Sequence, residues 1–228
     1  MSYMRKYINF SFIREAQWQA YFFFIATMSG FFSCNTSSLF FFNTSAQCAR
    51  VGIVSGWVAL KRQYALNTCR LYLLSRQVQP GDVIIYDIHD TLLDVSIPLL
   101  FLYKNFSIKN AQLVMDISVM PIVAVQEFYY QMSACGYTPI ILTAGLESKR
   151  ALYNSLLHIA GYDGYALFCM EQLEKQYMTK AKNKEMTRIM LSLCGYNIKA
   201  TVGDQWGDII GLVTGMPCKL PNVIYTAL

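Results

Sequence analysis

No C-x-x-C pair occurs among the seven cysteines of this 228-residue chain. An odd count without that spacing excludes a thioredoxin-type dithiol and argues against a structural zinc site. Internal repeats and low-complexity linkers are also missing, which removes solenoid arrays and tethered multidomain designs. No uninterrupted apolar run reaches the ~20 residues of a bilayer-spanning helix; AYFFFIATMSGFFSC, residues 20–34, falls short. The net charge of +5 is modest, and its densest part is Lys175, Lys180, Lys182 and Lys184. That part lacks the interleaved aromatics or repeated basic face of a nucleic-acid binder, so no nucleic-acid partner is expected.

What is abundant is apolar surface: 54% of residues are hydrophobic and the mean hydropathy is +0.30. Much of the excess lies before residue 45, in the run at 20–34 and in SSLFFFN at 37–43. Arg5, Lys6 and Arg14 precede the first run as a basic flank, and the small residues Thr44 and Ala46 suit cleavage before Gln47. Residues 1–46 therefore read as a signal peptide. The alternatives are an uncleaved signal anchor over 20–42, which would associate the chain with a membrane, or a buried helix with Phe-rich flanks. The first two predict a secreted or membrane-anchored protein whose single folded domain spans 47–228. Asn35, Asn43 and Asn105 begin N-x-S sequons compatible with secretion. Cys48 and Cys69 flank a short helical stretch and could pair if the chain meets an oxidising compartment.

From residue 83 the chain alternates short apolar runs with longer amphipathic ones. Strands are predicted over 83–88, 138–142, 165–169 and 198–202. Helices are predicted over 121–135, 147–160 and 184–194, each closed by a glycine: Gly136, Gly161 and Gly195. This alternation predicts an α/β, Rossmann-like, mostly parallel sheet with helices on both faces. In such sheets ligands bind beyond the carboxyl ends of the strands. That rule selects Asp87, Thr143 and Asp204, the polar residues at three predicted strand ends.

Together these residues suit phosphoryl transfer, which depends on positioning and charge neutralisation. Asp87 would be a carboxylate nucleophile. Thr143 would hydrogen-bond a phosphoryl oxygen, and Lys184, at a helix start, would neutralise charge and hold Asp87. Asp204 and Asp208, in GDQWGD, offer oxygens to a hard cation such as Mg²⁺. Taken singly, each has a plainer role as cap, turn residue or solvated charge; their joint order favours the site.

Here the sequence resembles the haloacid dehalogenase superfamily, in the acid phosphatase branch that includes plant vegetative storage proteins. DIHDTLLDVSIP at 87–98 is similar to the branch's D-[IL]-D-[DE]-T-L-L-S-x-x-P. ILTAGLESKR at 141–150 resembles its L-T-G-R stretch and the arginine that follows, matched at Thr143 and Arg150. AGYDGY at 160–165, Lys184 with Arg188, Gly195 with Tyr196, GDQWGD at 203–208 and KLPN at 219–222 follow in the family's order. The pattern selects Lys184 over Lys182. The resemblance runs from about residue 83 to the end. It implies a Mg²⁺-dependent phosphatase acting on small phosphomonoesters through an aspartyl-phosphate on Asp87. The metal ligands would be Asp87, Asp204, Asp208 and the backbone carbonyl of residue 89. A small cap is implied over about 95–120, and the residues at 99–103 would make it apolar and aromatic.

Two departures from the pattern stand near the site. His89 stands where the family has its acid–base Asp, and Ala144-Gly145 replaces Gly-Arg. His89 leaves a backbone carbonyl for the metal but changes the proton transfer, which contributes typically ~10²–10⁴-fold. Imidazole can give and take a proton near neutrality, though its bulk differs and its cationic form is disfavoured beside Mg²⁺. The sequence thus predicts a phosphomonoesterase, weakened or altered. The competing expectations are a catalytically inactive storage, scaffold or phosphate-binding protein of the same fold, and a membrane-anchored interaction protein that acts through its aromatic N-terminus.

Overall fold

The computed structural model describes residues 38–95, 120–170 and 179–222, with side chains from Gly56 onward. Five strands form one parallel sheet: β1 (Asp82–Tyr86), β2 (Thr138–Leu146), β3 (Ala166–Met170), β4 (Asn197–Gly203) and β5 (Met216–Lys219). Among the described residues five α-helices accompany them: α1 (Ser38–Leu74), α2 (Val123–Ala134), α3 (Arg150–Ile159), α4 (Lys180–Leu193) and the single turn α5 (Trp206–Ile209). Spatial order is β3-β2-β1-β4-β5. The chain builds outward from β1 to β3 and then returns to β1's other flank, so the order reverses between β1 and β4, where such sheets bind ligands.

Near-continuous apolar runs make these strands, as parallel strands covered on both faces require. Ile84, Tyr86, Ile141, Ala200 and Val202 face a core shared with Leu66, Leu73, Phe128, Tyr129 and Leu157 of α1, α2 and α3. Val83, Ile85, Ile140, Leu142 and Ile198 face the other way, against Leu191 of α4. Strand alternation thus divides one apolar run between two cores. The start of β1 is fixed by a buried acid. Asp82 accepts from the Gln79 amide at 3.0 Å and Asn197 Nδ2 at 2.8 Å, and pairs with Lys199 at 3.4 Å.

The mostly parallel α/β architecture is as expected, with shifted edges and one added strand, β5. The helix predicted from 184 begins at Lys180, because the Thr179 side chain caps it by accepting from the Lys182 amide. The candidate pairing of Cys48 with Cys69 is corrected. Both positions lie on α1, where 21 residues at 1.5 Å each separate them by about 30 Å; a disulfide needs Cα atoms within about 7 Å. The stretch they flank is therefore the middle of a 37-residue helix, not a short one. Its buried side is Val58, Arg62, Leu66, Cys69 and Leu73, at the spacing of a helical stripe. The proposed boundary at residue 46 falls within this helix. Among the described residues no helix is long and apolar enough to cross a membrane.

The expected cap over about 95–120 lies largely outside the described residues. Its two flanks meet at the carboxyl end of β1: the Asp94 amide donates to Met120 O at 2.8 Å and the Ile122 amide to Leu92 O at 2.9 Å.

Candidate active site

The carboxyl edge of the sheet gathers the acids and the lysine named from the sequence. The Asp87 amide continues the ladder by donating to Val202 O at 3.1 Å. The chain then turns back on itself, with the amides of Leu92 and Leu93 both donating to Ile88 O at 2.9 Å. Asp90 makes the turn possible at φ 54°, a left-handed conformation that Asp tolerates better than most residues. Its carboxylate accepts from the Val95 amide at 3.1 Å and from Asn222 Nδ2 at 2.8 Å.

Lys184 enters from α4, one turn past the Thr179 cap. Its Nζ lies 2.5 Å from Asp87 Oδ1 and 2.7 Å from Asp208 Oδ1, and all three groups are buried. Burial pulls the Lys184 ammonium toward neutrality, but the two carboxylates outweigh it and hold its pKa above the ordinary lysine value. Lys182, two residues away, instead makes an exposed pair with Glu185. Arg188 follows Lys184 on the same face of α4 and is fully buried, its guanidinium donating to Asp208 O at 2.6 Å and Ile210 O at 2.7 Å.

GDQWGD carries two carboxylates into this corner. Gly203 lets it close: a Cβ there would lie 2.6 Å from the Asp208 Cβ. Asp208 Oδ2 accepts from the Gln205 amide at 3.0 Å in a capping box, while Oδ1 takes Lys184. Asp208 thus closes the capping box with one oxygen and binds Lys184 with the other. Asp204 accepts from Gln205 Nε2 at 2.7 Å and from Asn222 Nδ2 at 2.8 Å. Its pKa is pushed up to about 6, by burial first and further by Asp90 and Asp208, against the hydrogen bonds from Asn222 and Gln205. Burial and the Asp87 charge likewise raise Asp208 despite Lys184.

Ligand atoms of Asp87, Asp204 and Asp208 all lie within 4.8 Å of one another. The donors are hard carboxylate oxygens, the set that suits Mg²⁺ or a similar divalent cation. Burial first, and neighbouring carboxylates second, raise the pKa values of two of the three acids, and a bound cation would favour their ionised forms. The residues fit a divalent metal.

Thr143 lies within β2, because the strand runs on to Leu146. Between Leu142 and Leu146 the pairing with β3 advances only from Phe168 to Met170. Two extra residues therefore bulge from the ladder here, the kind of irregularity that re-aims side chains beside functional sites. Thr143 is buried, and its Oγ1 accepts from the Gly145 amide at 3.1 Å. Arg150, matched to a family arginine, binds Glu147 and donates to Leu167 O, so it ties the start of α3 to β3.

His89 is half-buried, and its Nε2 is buried without a hydrogen-bond partner. The imidazole meets the Tyr153 ring edge-on, with centroids 5.9 Å apart and planes at 77°.

Several supporting residues escaped sequence reasoning. Asn222 bridges Asp90 and Asp204, and Lys219 Nζ donates to the carbonyls of Asp204 and Leu220. KLPN was recognisable as a pattern, but nothing local says that it folds over the site as β5 and its exit. Arg62 of α1 reaches Pro221 O at 3.3 Å and stands 3.9 Å from Asp94. A lone arginine in a long helix carries no signal for that contact.

Comparison with known proteins agrees with the fold. A stem 28 kDa glycoprotein of Glycine max is 30% identical over 100 residues, which are 42% of this chain and 39% of that relative. The match thus spans about two-fifths of the relative's length. Among solved structures, the class C acid phosphatase of Bacillus anthracis, crystallised with tungstate bound, superposes with a TM-score of 0.57 at 14% identity, covering 73% of this chain and 78% of that one. At that identity the likeness establishes the fold alone. The family model for HAD superfamily, subfamily IIIB (acid phosphatase) matches residues 32–228, and with most of the chain inside that match, the protein belongs to this acid phosphatase family.

Proposed function

We propose that the chain hydrolyses small phosphomonoesters through a phosphoryl group carried on Asp87, slowly, with His89 in the acid–base role. The observation that carries this reading is the sharing of Lys184 between Asp87 and Asp208, with Asp204 alongside. A buried nucleophile, a buried cation and an acidic cluster of metal-binding size are what phosphoryl transfer requires.

In the first step an Asp87 carboxylate oxygen attacks phosphorus as the ester P–O bond breaks. Protonated His89 gives its proton to the departing oxygen. In the second step water attacks the phosphorus of the aspartyl-phosphate while passing a proton to His89, which frees inorganic phosphate and regenerates Asp87. Lys184 holds Asp87 Oδ1 in place and offsets charge, and Thr143 Oγ1 is the hydroxyl on the β2 side for a phosphoryl oxygen. Mg²⁺ would be held by Asp87, Asp204 and Asp208, with the His89 carbonyl, and when bound would neutralise charge on the phosphoryl group.

A second reading is a phosphate-binding or storage protein without turnover. It is favoured by the loss of the family's acid–base carboxylate at 89 and of its cation at 145. Steady-state hydrolysis of an aryl phosphate, with and without Mg²⁺, separates the two. Mg²⁺-dependent turnover that disappears in Asp87→Asn supports the enzyme. Silence in the wild type, with turnover appearing in His89→Asp, supports the second reading.

We also infer that residues 1–46 are a targeting segment, from the basic flank and the apolar run that follows it. Sequencing the amino terminus of protein purified from a secreting host tests this. A start near Gln47 supports a cleaved signal, an intact chain in the membrane fraction supports an anchor, and an intact soluble chain overturns both.

A further inference from the structure

We propose that Tyr153 is a positioning residue of this site. Its phenol fills the space that a side chain at 145 would need and braces the His89 imidazole, so Gly145, Tyr153 and His89 form one unit.

The geometry begins at Gly145. Its backbone is not in the left-handed region, so no conformational demand calls for glycine. The demand is steric: a Cβ at 145 would lie 2.2 Å from the Tyr153 hydroxyl oxygen and 2.3 and 2.4 Å from two ring carbons. Real atoms do not approach so closely, so this ring position and any larger residue at 145 exclude each other. Tyr153 is 3% exposed. It sits on the inward face of α3 with Leu156 and Leu157, its ring fixed within the core.

From there the ring reaches the nucleophile loop, where the His89 imidazole meets it edge-on at 5.9 Å. An edge-on ring contact of this kind is favourable beyond the area it buries. Nε2 of His89 is buried without a hydrogen-bond partner, so no bond at that nitrogen sets the ring's direction. Packing against Tyr153 supplies an orienting contact and leaves Nε2 unengaged. The two departures from the family pattern are thereby linked: the glycine at 145 makes room for the ring that holds the imidazole at 89.

The kinetic part of this inference rests on the acid–base reading of His89; the structural part does not. The test is therefore NMR of the full chain together with steady-state kinetics. Only two histidines are present, and His158 is exposed on α3, so His158→Gln assigns the His89 imidazole protons. Their resonances are expected to be displaced by the Tyr153 ring current. Tyr153→Phe should retain that displacement. Tyr153→Leu, which keeps the buried bulk without a ring, should lose it, as should Gly145→Ala, whose methyl expels the ring. The double variant should then be no worse than Tyr153→Leu alone. In turnover, Tyr153→Leu should lower kcat by about ten- to hundredfold with little change in KM, and Tyr153→Phe should restore it. Displacement that persists in Tyr153→Leu, or a Gly145→Ala variant with unchanged His89 resonances, would overturn the proposal. If the wild type shows no turnover, the acid–base reading of His89 fails and the resonances alone decide the role of Tyr153.

Discussion

The two halves of the pocket are built on different terms. On the β1–β4 side, each ionised group of the motif has charged or hydrogen-bonding partners: Lys184 with Asp87 and Asp208, Asn222 with Asp90 and Asp204, Arg188 with the Asp208 carbonyl. On the β2–α3 side stand a glycine and a phenol ring, facing an imidazole of the β1 loop whose Nε2 has no hydrogen bond. Buried charge explains the difference. Removing one member of a buried ion pair strands its partner at a cost of roughly 3–5 kcal/mol, so the first half resists change through stability alone. The second half is held by packing, where a different set of shapes can be fitted without stranding a charge. Both departures from the family pattern fall on that side or face it.

The largest expected effect comes from breaking the first half. Asp87→Asn should reduce turnover by on the order of 10³-fold or more, measured at saturating substrate and Mg²⁺. Lys184→Met should destabilise the fold by about 3–5 kcal/mol, read from denaturant unfolding, because Asp87 and Asp208 would face each other without their shared cation.

Changing the second half should act in the opposite direction. His89→Asp restores a carboxylate and should raise kcat by about 10²-fold with little change in unfolding free energy. A rise in activity accompanied by a large loss of stability would mean that the two halves are not independent.

A smaller effect is expected behind the candidate metal-binding acids. Asn222→Ala removes both hydrogen bonds that hold Asp204 to Asp90 and should weaken Mg²⁺ binding by about 10–100-fold, measured by calorimetry.

The acid cluster also predicts a pH signature. Asp204 releases its proton at about 6 in the fold but near 3.9 in an unfolded chain, so between these values the unfolded state binds fewer protons. Its contribution to metal-free stability therefore falls as pH rises through that window. Lys184, raised in the fold, contributes stability that persists until pH climbs through its elevated value. Melting temperatures over pH 4–7 should show the Asp204 decline without metal and a smaller one at saturating Mg²⁺. Identical slopes would mean that Asp204 is not a ligand. The smallest change belongs to Glu147→Gln: its pair with Arg150 is about two-fifths exposed and screened by solvent, so the unfolding midpoint should not move.

The strands, the order of helices and the acids at the sheet's carboxyl edge were legible because each is a local matter of periodicity and strand ends. Lys184 could be separated from Lys182 only through the family pattern, since the two look alike in sequence and differ by which face of α4 they occupy. Asn222, Arg188 and Arg62 were not legible as parts of the site. Their partners lie 132, 20 and 159 positions away along the chain, and no local signal encodes such contacts. Tyr153 was hidden for a related reason. At helical spacing it reads as one more core aromatic, and only the clash it would have with a Cβ at 145 ties it to the pocket.

If Asp87 is the nucleophile, the charged half should accept a phosphoryl group although the opposite half departs from the family pattern. The most direct test uses 4-nitrophenyl phosphate, whose leaving group needs no proton. After mixing with wild-type protein and Mg²⁺ and quenching in acid, mass spectrometry should find phosphate on the Asp87 peptide, more persistent than in His89→Asp. No phosphoryl group on Asp87 in either protein would contradict the account.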